Sequence, residues 1–165
     1  MITNRARARG VLAATAAAAA VVVLAGCEKP TPGISAFSGT ESVRTQALCW
    51  SPEATGSVDA KACAQQVANT VASGGDVPTL RVTGDATLGI SVDPVVADNG
   101  WNLSINGTPI NADPITETYY RITYPQAGAN IQLPATGSLQ VIALGEGGQK
   151  VRGVWGVRTQ LINNE

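Results

Sequence analysis

Histidine is absent from this chain of 165 residues. That removes the commonest general base and the commonest metal ligand together. Methionine occurs once, and zinc and blue-copper centres draw on His with Cys or Met, so neither a metal site nor another cofactor is expected. Basic runs are also missing. Lys and Arg total 11 against 12 Asp and Glu, and no Lys/Arg block stands outside the first ten residues, which argues against nucleic acid as a partner. Lysine is confined to Lys29, Lys61 and Lys150, and none lies in an S-x-x-K arrangement that would activate a nucleophile. A long apolar run is lacking too: Val11 to Leu24 is uncharged but too short for a comfortable membrane span.

That short run has the length of a signal-peptide core, and the residues around it agree. Arg5, Arg7 and Arg9 form a positive segment before it, and Leu24-Ala25-Gly26-Cys27 follows it. The arginines alternate with other residues, so the general secretion route fits better than a twin-arginine signal. The order Leu-Ala-Gly-Cys resembles the bacterial lipobox, in which the thiol receives a diacylglyceryl group and the leader is cut just before it. Two acyl chains bury enough methylenes, at about 0.8 kcal/mol each, to hold a domain at a bilayer. The expected organisation is a lipoprotein signal peptide at 1–26, lipidated Cys27 with a Pro/Gly tether over 27–40, and a folded domain over 41–165. The expected location is the extracytoplasmic face of the cell membrane. Cleavage would take three of the 11 basic residues with it and leave eight against 12 acidic ones, a balance that suits a domain facing away from anionic lipid.

With Cys27 assigned, Cys49 and Cys63 remain. An even pair in an exported chain predicts a disulfide, which would close a loop of about 15 residues and contribute about 3 kcal/mol. The spacing is not that of a C-x-x-C redox pair.

The rest of the chain alternates with period two. Leu80 and Val82, then Leu88, Ile90 and Val92, then Trp101, Leu103 and Ile105 each form one face of a short run. Tyr120, Ile122 and Tyr124 oppose Glu117, Tyr119 and Arg121. Val151, Trp155, Val157 and Leu161 oppose Arg152, Arg158 and Gln160. Asn106-Gly107 predicts a two-residue hairpin turn, and the glycines at 145–148 predict a second hairpin at the C-terminus. Between Asp59 and Ser73 the apolar spacing is roughly helical, with Asp59 as a cap and Gly74 as a stop, while the Val and Thr content points to a covering loop. Seven or eight short strands without βα alternation predict an all-β fold, an immunoglobulin-like antiparallel β-sandwich.

Several segments together resemble a group of actinobacterial lipoproteins known only as a domain of unknown function. These are "CEKPTP" after the lipobox, the downstream Cys pair, "ISVDPVVADNGWNLSINGTPI", "TYYRITYP" and the closing "VWGVRTQL". The resemblance implies an exported, lipid-anchored protein and supplies no catalytic residues.

Candidate sites are few. Asp93, Asp98 and Asn99 lack the alternating oxygen ligands of a calcium loop and read as a turn. Trp101 and Trp155 fall on apolar faces and belong in the core. Trp50, beside Cys49 and followed by Ser51-Pro52, and Tyr119, on the polar side of its strand, are the candidate recognition residues. No catalytic residue is assigned. The leading expectation is a non-enzymatic module that binds an envelope protein or a wall polymer. The alternatives are an envelope hydrolase using carboxylate or Ser/Lys chemistry, and a small ligand-binding accessory protein. Replacement Cys27→Ser is expected to release the protein from the membrane fraction or leave it as an uncleaved precursor, read by mass spectrometry of the N-terminus. An unmodified peptide running from Gly26 through Cys27 into Glu28 in wild-type protein would contradict the anchor.

Overall fold

The computed structural model describes residues 30–84, 86–124 and 135–162. The leader at 1–26 and Cys27 lie outside the described residues. Alternating apolar side chains build two sheets that close on each other. The described elements, in order, are β1 (Gly33–Ser38), β2 (Glu41–Gln46), β3 (Cys49–Trp50), helix α1 (Ala60–Ala72), β4 (Thr79–Val82) and β5 (Thr87–Val92). They continue with the short helix α2 (Pro94–Ala97), β6 (Trp101–Ile105), β7 (Thr108–Pro109), β8 (Tyr119–Thr123), β9 (Thr136–Leu144) and β10 (Val151–Leu161).

The first sheet runs β2-β1-β5-β8 and the second β3-β10-β9-β6-β7, with β4 also alongside β10. Every pairing is antiparallel except β4 with β10, which is parallel. The opposed orders β1-β5-β8 and β7-β6-β9-β10 are those of an immunoglobulin-like sandwich. Residues 39–86, between β1 and β5, hold additions to that plan: β2, β3, α1 and β4. Eight strands have four or more residues, and β3 and β7 have two each.

Strand β1 lies inside 27–40, the stretch expected as tether, so the first sheet begins at Gly33 and not at residue 41. Its inward positions are Ile34, Ala36 and Ser38, all buried, and two of them are too small to announce a strand in sequence. The main core between the sheets contains the fully buried Ile34, Leu88, Ile90, Trp101, Leu103 and Trp155. Burying each such side chain is worth about 1.5–3 kcal/mol. Both buried indoles find a carbonyl for their N–H: Trp101 Nε1 donates to Glu117 O and Trp155 Nε1 to Pro32 O, each at 2.9 Å. The predicted hairpin is present. Ile105 pairs with Thr108 across Asn106 (φ 51°) and Gly107 (φ 79°), both in the left-handed region that a type I′ turn needs.

A second, smaller core lies outside the sandwich. Residues 60–72 are helical, which settles the choice between helix and covering loop. Asp59 Oδ1 accepts from Ala62 N at 2.9 Å and caps the first turn. Cys63, Val67 and Val71, at helical spacing, pack with Val77 and Val154 against the outer face of the second sheet. Gly156 permits the approach, since a Cβ there would lie 2.8 Å from Val67 Cγ1. The Cys49–Cys63 disulfide joins β3 to the helix.

Two facial assignments differ from expectation: Val151 leaves the side of Trp155, and Arg152, expected on the polar side, is buried against the Trp50 ring. The β9–β10 register shifts between Val151 and Gly153. The extra residue moves Val151 away from Trp155 and Val157 and into the small core. Replacing both Cys49 and Cys63 with Ser is expected to lower the unfolding free energy by about 3 kcal/mol, the value for a loop of this length. A urea titration measures it, and an unchanged midpoint would show that the bridge does not hold the helix in place.

Candidate functional site

The inward faces of the first sheet close the core, so what this sheet offers to a ligand is its outer face. Pairing registers place outward residues in rows. One row runs Ser42, Phe37, Gly89, Arg121, and the next runs Arg44, Ser35, Ser91, Tyr119. Small hydroxyl residues make a flat floor, and two aromatic rings stand on it. Any Cβ at position 89 would overlap the Phe37 ring, so glycine in the middle of β5 is what lets that ring lie down on the sheet. The Phe37 and Tyr119 rings are parallel within 4°, with centroids 6.0 Å apart. Tyr119 is 46% exposed, the one large hydrophobic side chain so exposed among the described residues. Covering a strand glycine accounts for Phe37 alone; it leaves the outer surface of Tyr119 without a structural role.

Asp93 closes one end of this face. Its Oδ2 accepts from Gly33 N at 2.7 Å, and its Oδ1 receives Arg44 Nη2 at 3.0 Å. Burial pushes the Asp93 carboxyl up, but the Gly33 N–H and the Arg44 guanidinium outweigh it and hold the group below its ordinary 3.8. Its oxygens are thereby occupied. Asp98 is the exposed C-cap of α2 and has no part in this cluster, so "DPVVADNG" forms a Pro-initiated turn of helix.

Trp50 occupies different ground. It is half-buried at the β3 edge of the second sheet, with its ring 5.7 Å from that of Trp155 at a 55° tilt. The buried Arg152 lies over the same ring, 4.5 Å from the centroid, and reaches only backbone carbonyls: Ser51, Pro52 and Val95 at 3.4–3.5 Å. These contacts tie the β3 segment to α2 and to the bulge in β10. Trp50 is therefore part of the packing, and its replacement is not expected to be thermally silent. Trp50 and Tyr119 belong to different sheets and do not form one site. Phe37, which was not among the candidates from sequence, is the ring that accompanies Tyr119. The signal for it was Gly89 inside an otherwise apolar run, the mark of a close approach in a strand.

An open cleft of about 660 Å³ lies between the end of α1 and strands β9 and β10, lined by residues that include Val71, Ser73, Asn106, Ser138 and Arg158. Arg158 donates from Nε and Nη2 to Val71 O at 3.1 and 2.7 Å, so its charge caps the helix. Among the described residues no three Cys, Asp or Glu side chains gather as metal ligands, and no helix is long and apolar enough to cross a membrane.

No family model matches this chain, and no curated protein does. Among solved structures, fibronectin(III)-like modules of Clostridium thermocellum CbhA superpose over 55% of this chain and 94% of theirs, with 12% identity and a TM-score of 0.39.

Two outcomes follow from this geometry. Trp101→Ala is expected to cost about 3–5 kcal/mol, as for a buried aromatic, whereas Tyr119→Ala leaves the melting temperature nearly unchanged. Equal losses in thermal scans would show the two faces to be wrongly distinguished. Asp93 has its folded value held below the unfolded 3.8, so its contribution is present above that pH and disappears as pH falls through the folded value. The pair is partly exposed, so the contribution is at most about 1 kcal/mol. The stability difference between wild type and Asp93→Asn should be constant near neutrality and vanish in acid. A difference that grows below pH 4 would contradict this assignment.

Proposed function

We propose that this chain is a lipid-anchored, extracytoplasmic binding module, without catalytic activity, that holds an envelope partner on the outer face of its first sheet. The anchor rests on sequence: the charged segment, the short apolar run and Leu24-Ala25-Gly26-Cys27 agree in order and spacing. The binding role rests on one observation, the parallel Phe37 and Tyr119 rings on a polar sheet face, with Tyr119 open to solvent. An exposed aromatic with a rigid backbone beneath it binds at low entropic cost, because few rotatable bonds are fixed. The non-catalytic reading is supported by the missing histidine and by lysines outside any nucleophile motif.

Crosslinking on intact cells, followed by recovery of the chain, tests this reading. Wild-type protein should yield a discrete adduct. Tyr119→Ala should reduce it at least fivefold, with the same amount of protein in the membrane fraction and the same melting temperature. An undiminished adduct from Tyr119→Ala would place the binding surface elsewhere.

A further inference from the structure

We propose that the occupant of this face is an anionic polysaccharide, lying with sugar rings on Phe37 and Tyr119 and an acidic group at Arg121. The proposal rests on the binding-module reading above and names its ligand class.

The first argument is the chemistry of the floor. Ser35, Ser42, Ser91, Thr87 and Thr123 surround the two rings, and no aliphatic side chain accompanies them. A protein partner needs an apolar centre within a patch of about 800 Å². Two rings on a field of hydroxyls do not supply one. A pyranose has the matching character: a face of C–H groups that lies on the negative face of an aromatic ring, and a rim of hydroxyls that pairs with Ser and Thr.

The second argument is charge. Arg44, Arg121 and Asp93 are the charged groups on these rows, and Asp93 is taken by Arg44. Arg121 is exposed and makes no ion pair among the described residues. Arg121 is thus the one cation on these rows without an ion pair among the described residues, and the exposed Glu117 lies two residues before Tyr119. Register sets its place. Arg121 is two residues along β8 from Tyr119, about 7 Å, and two strand spacings from Phe37, about 10 Å. A long, flexible guanidinium there reaches a carboxylate or phosphate on a sugar seated against the rings.

The third argument is the posture of Phe37. With glycine beneath its tip the Phe37 ring packs onto the sheet and stacks with Tyr119, so the pair stands on an open sheet face and not in a pocket. An open face suits a linear polymer crossing the sheet and leaves an isolated small molecule largely in solvent.

Affinity electrophoresis of the full chain tests the proposal, in native gels cast with polygalacturonate or with neutral dextran. Polygalacturonate should retard the protein more than dextran does, and added salt should weaken the effect. Tyr119→Ala and Arg121→Ala should each weaken retardation at least fivefold without moving the melting temperature, and Arg121→Lys should recover part of it. Arg81→Ala removes an exposed cation away from this face and should leave retardation unchanged. The proposal falls if neither polymer retards the protein, if dextran retards it equally, or if Arg81→Ala matches Arg121→Ala. A crosslinked adduct that depends on Tyr119, together with no retardation, would keep the binding face and replace the polysaccharide with a protein.

Discussion

Strand β10 has to be covered on both of its faces, and the rest of the molecule is arranged around that need. One side carries Trp155 and Val157 into the sandwich; the other carries Val154 beside Gly156, with Ile142 of β9 next to it. Left open, the outer side would be a contiguous apolar patch of the kind that drives association. Helix α1 covers it with Cys63, Val67 and Val71. Ala, Lys and Gln favour the helix, but at 13 residues it is too short to stand alone in water, so its place depends on packing and on the Cys49–Cys63 bridge.

This cover makes the two sheets unequal. The second sheet is packed on both faces at β9 and β10, with α1 outside and the sandwich core inside. The first sheet is packed on its inner face, and its outer rows are Ser, Thr, Arg and two rings. The same physics runs in opposite directions at the two glycines that matter most. Gly156 admits a helix that closes the second sheet, and Gly89 admits a ring that furnishes the first. Trp50 is drawn into the closed side, between Trp155 and Arg152, which is why the aromatic beside a turn is packing while the ring of Tyr119 stays open to solvent.

Much of this was legible in sequence where large residues carried the pattern. Leu88, Ile90 and Val92, and Trp101, Leu103 and Ile105, announced their strands and their buried sides. Asn106-Gly107 announced its turn, and Cys49 with Cys63 the bridge. Legibility failed where a feature depended on small residues or on a single insertion. Strand β1 buries Ala36 and Ser38, which look like tether, and so Phe37 went unnoticed beside them. The bulge before Gly153 reverses the side of Val151, and no periodicity announces one extra residue. The helix was ambiguous because Val67, Thr70 and Val71 masked the Ala, Lys and Gln that favour it. The exposure of Tyr119 was legible because alternation within "TYYRITY" put it opposite Tyr120, and Tyr120 meets Trp101 edge-on at 6.2 Å against the core.

The proposed binding surface is the outer face of the first sheet and not the Trp50 edge. Hydroxyl-radical footprinting with mass spectrometry, on the full chain alone and in its native membranes, measures this at each ring. Oxidation of Tyr119 and Phe37 is expected to fall in the membranes while that of Trp50 is unchanged. Protection of Trp50 with Tyr119 still fully reactive would contradict it.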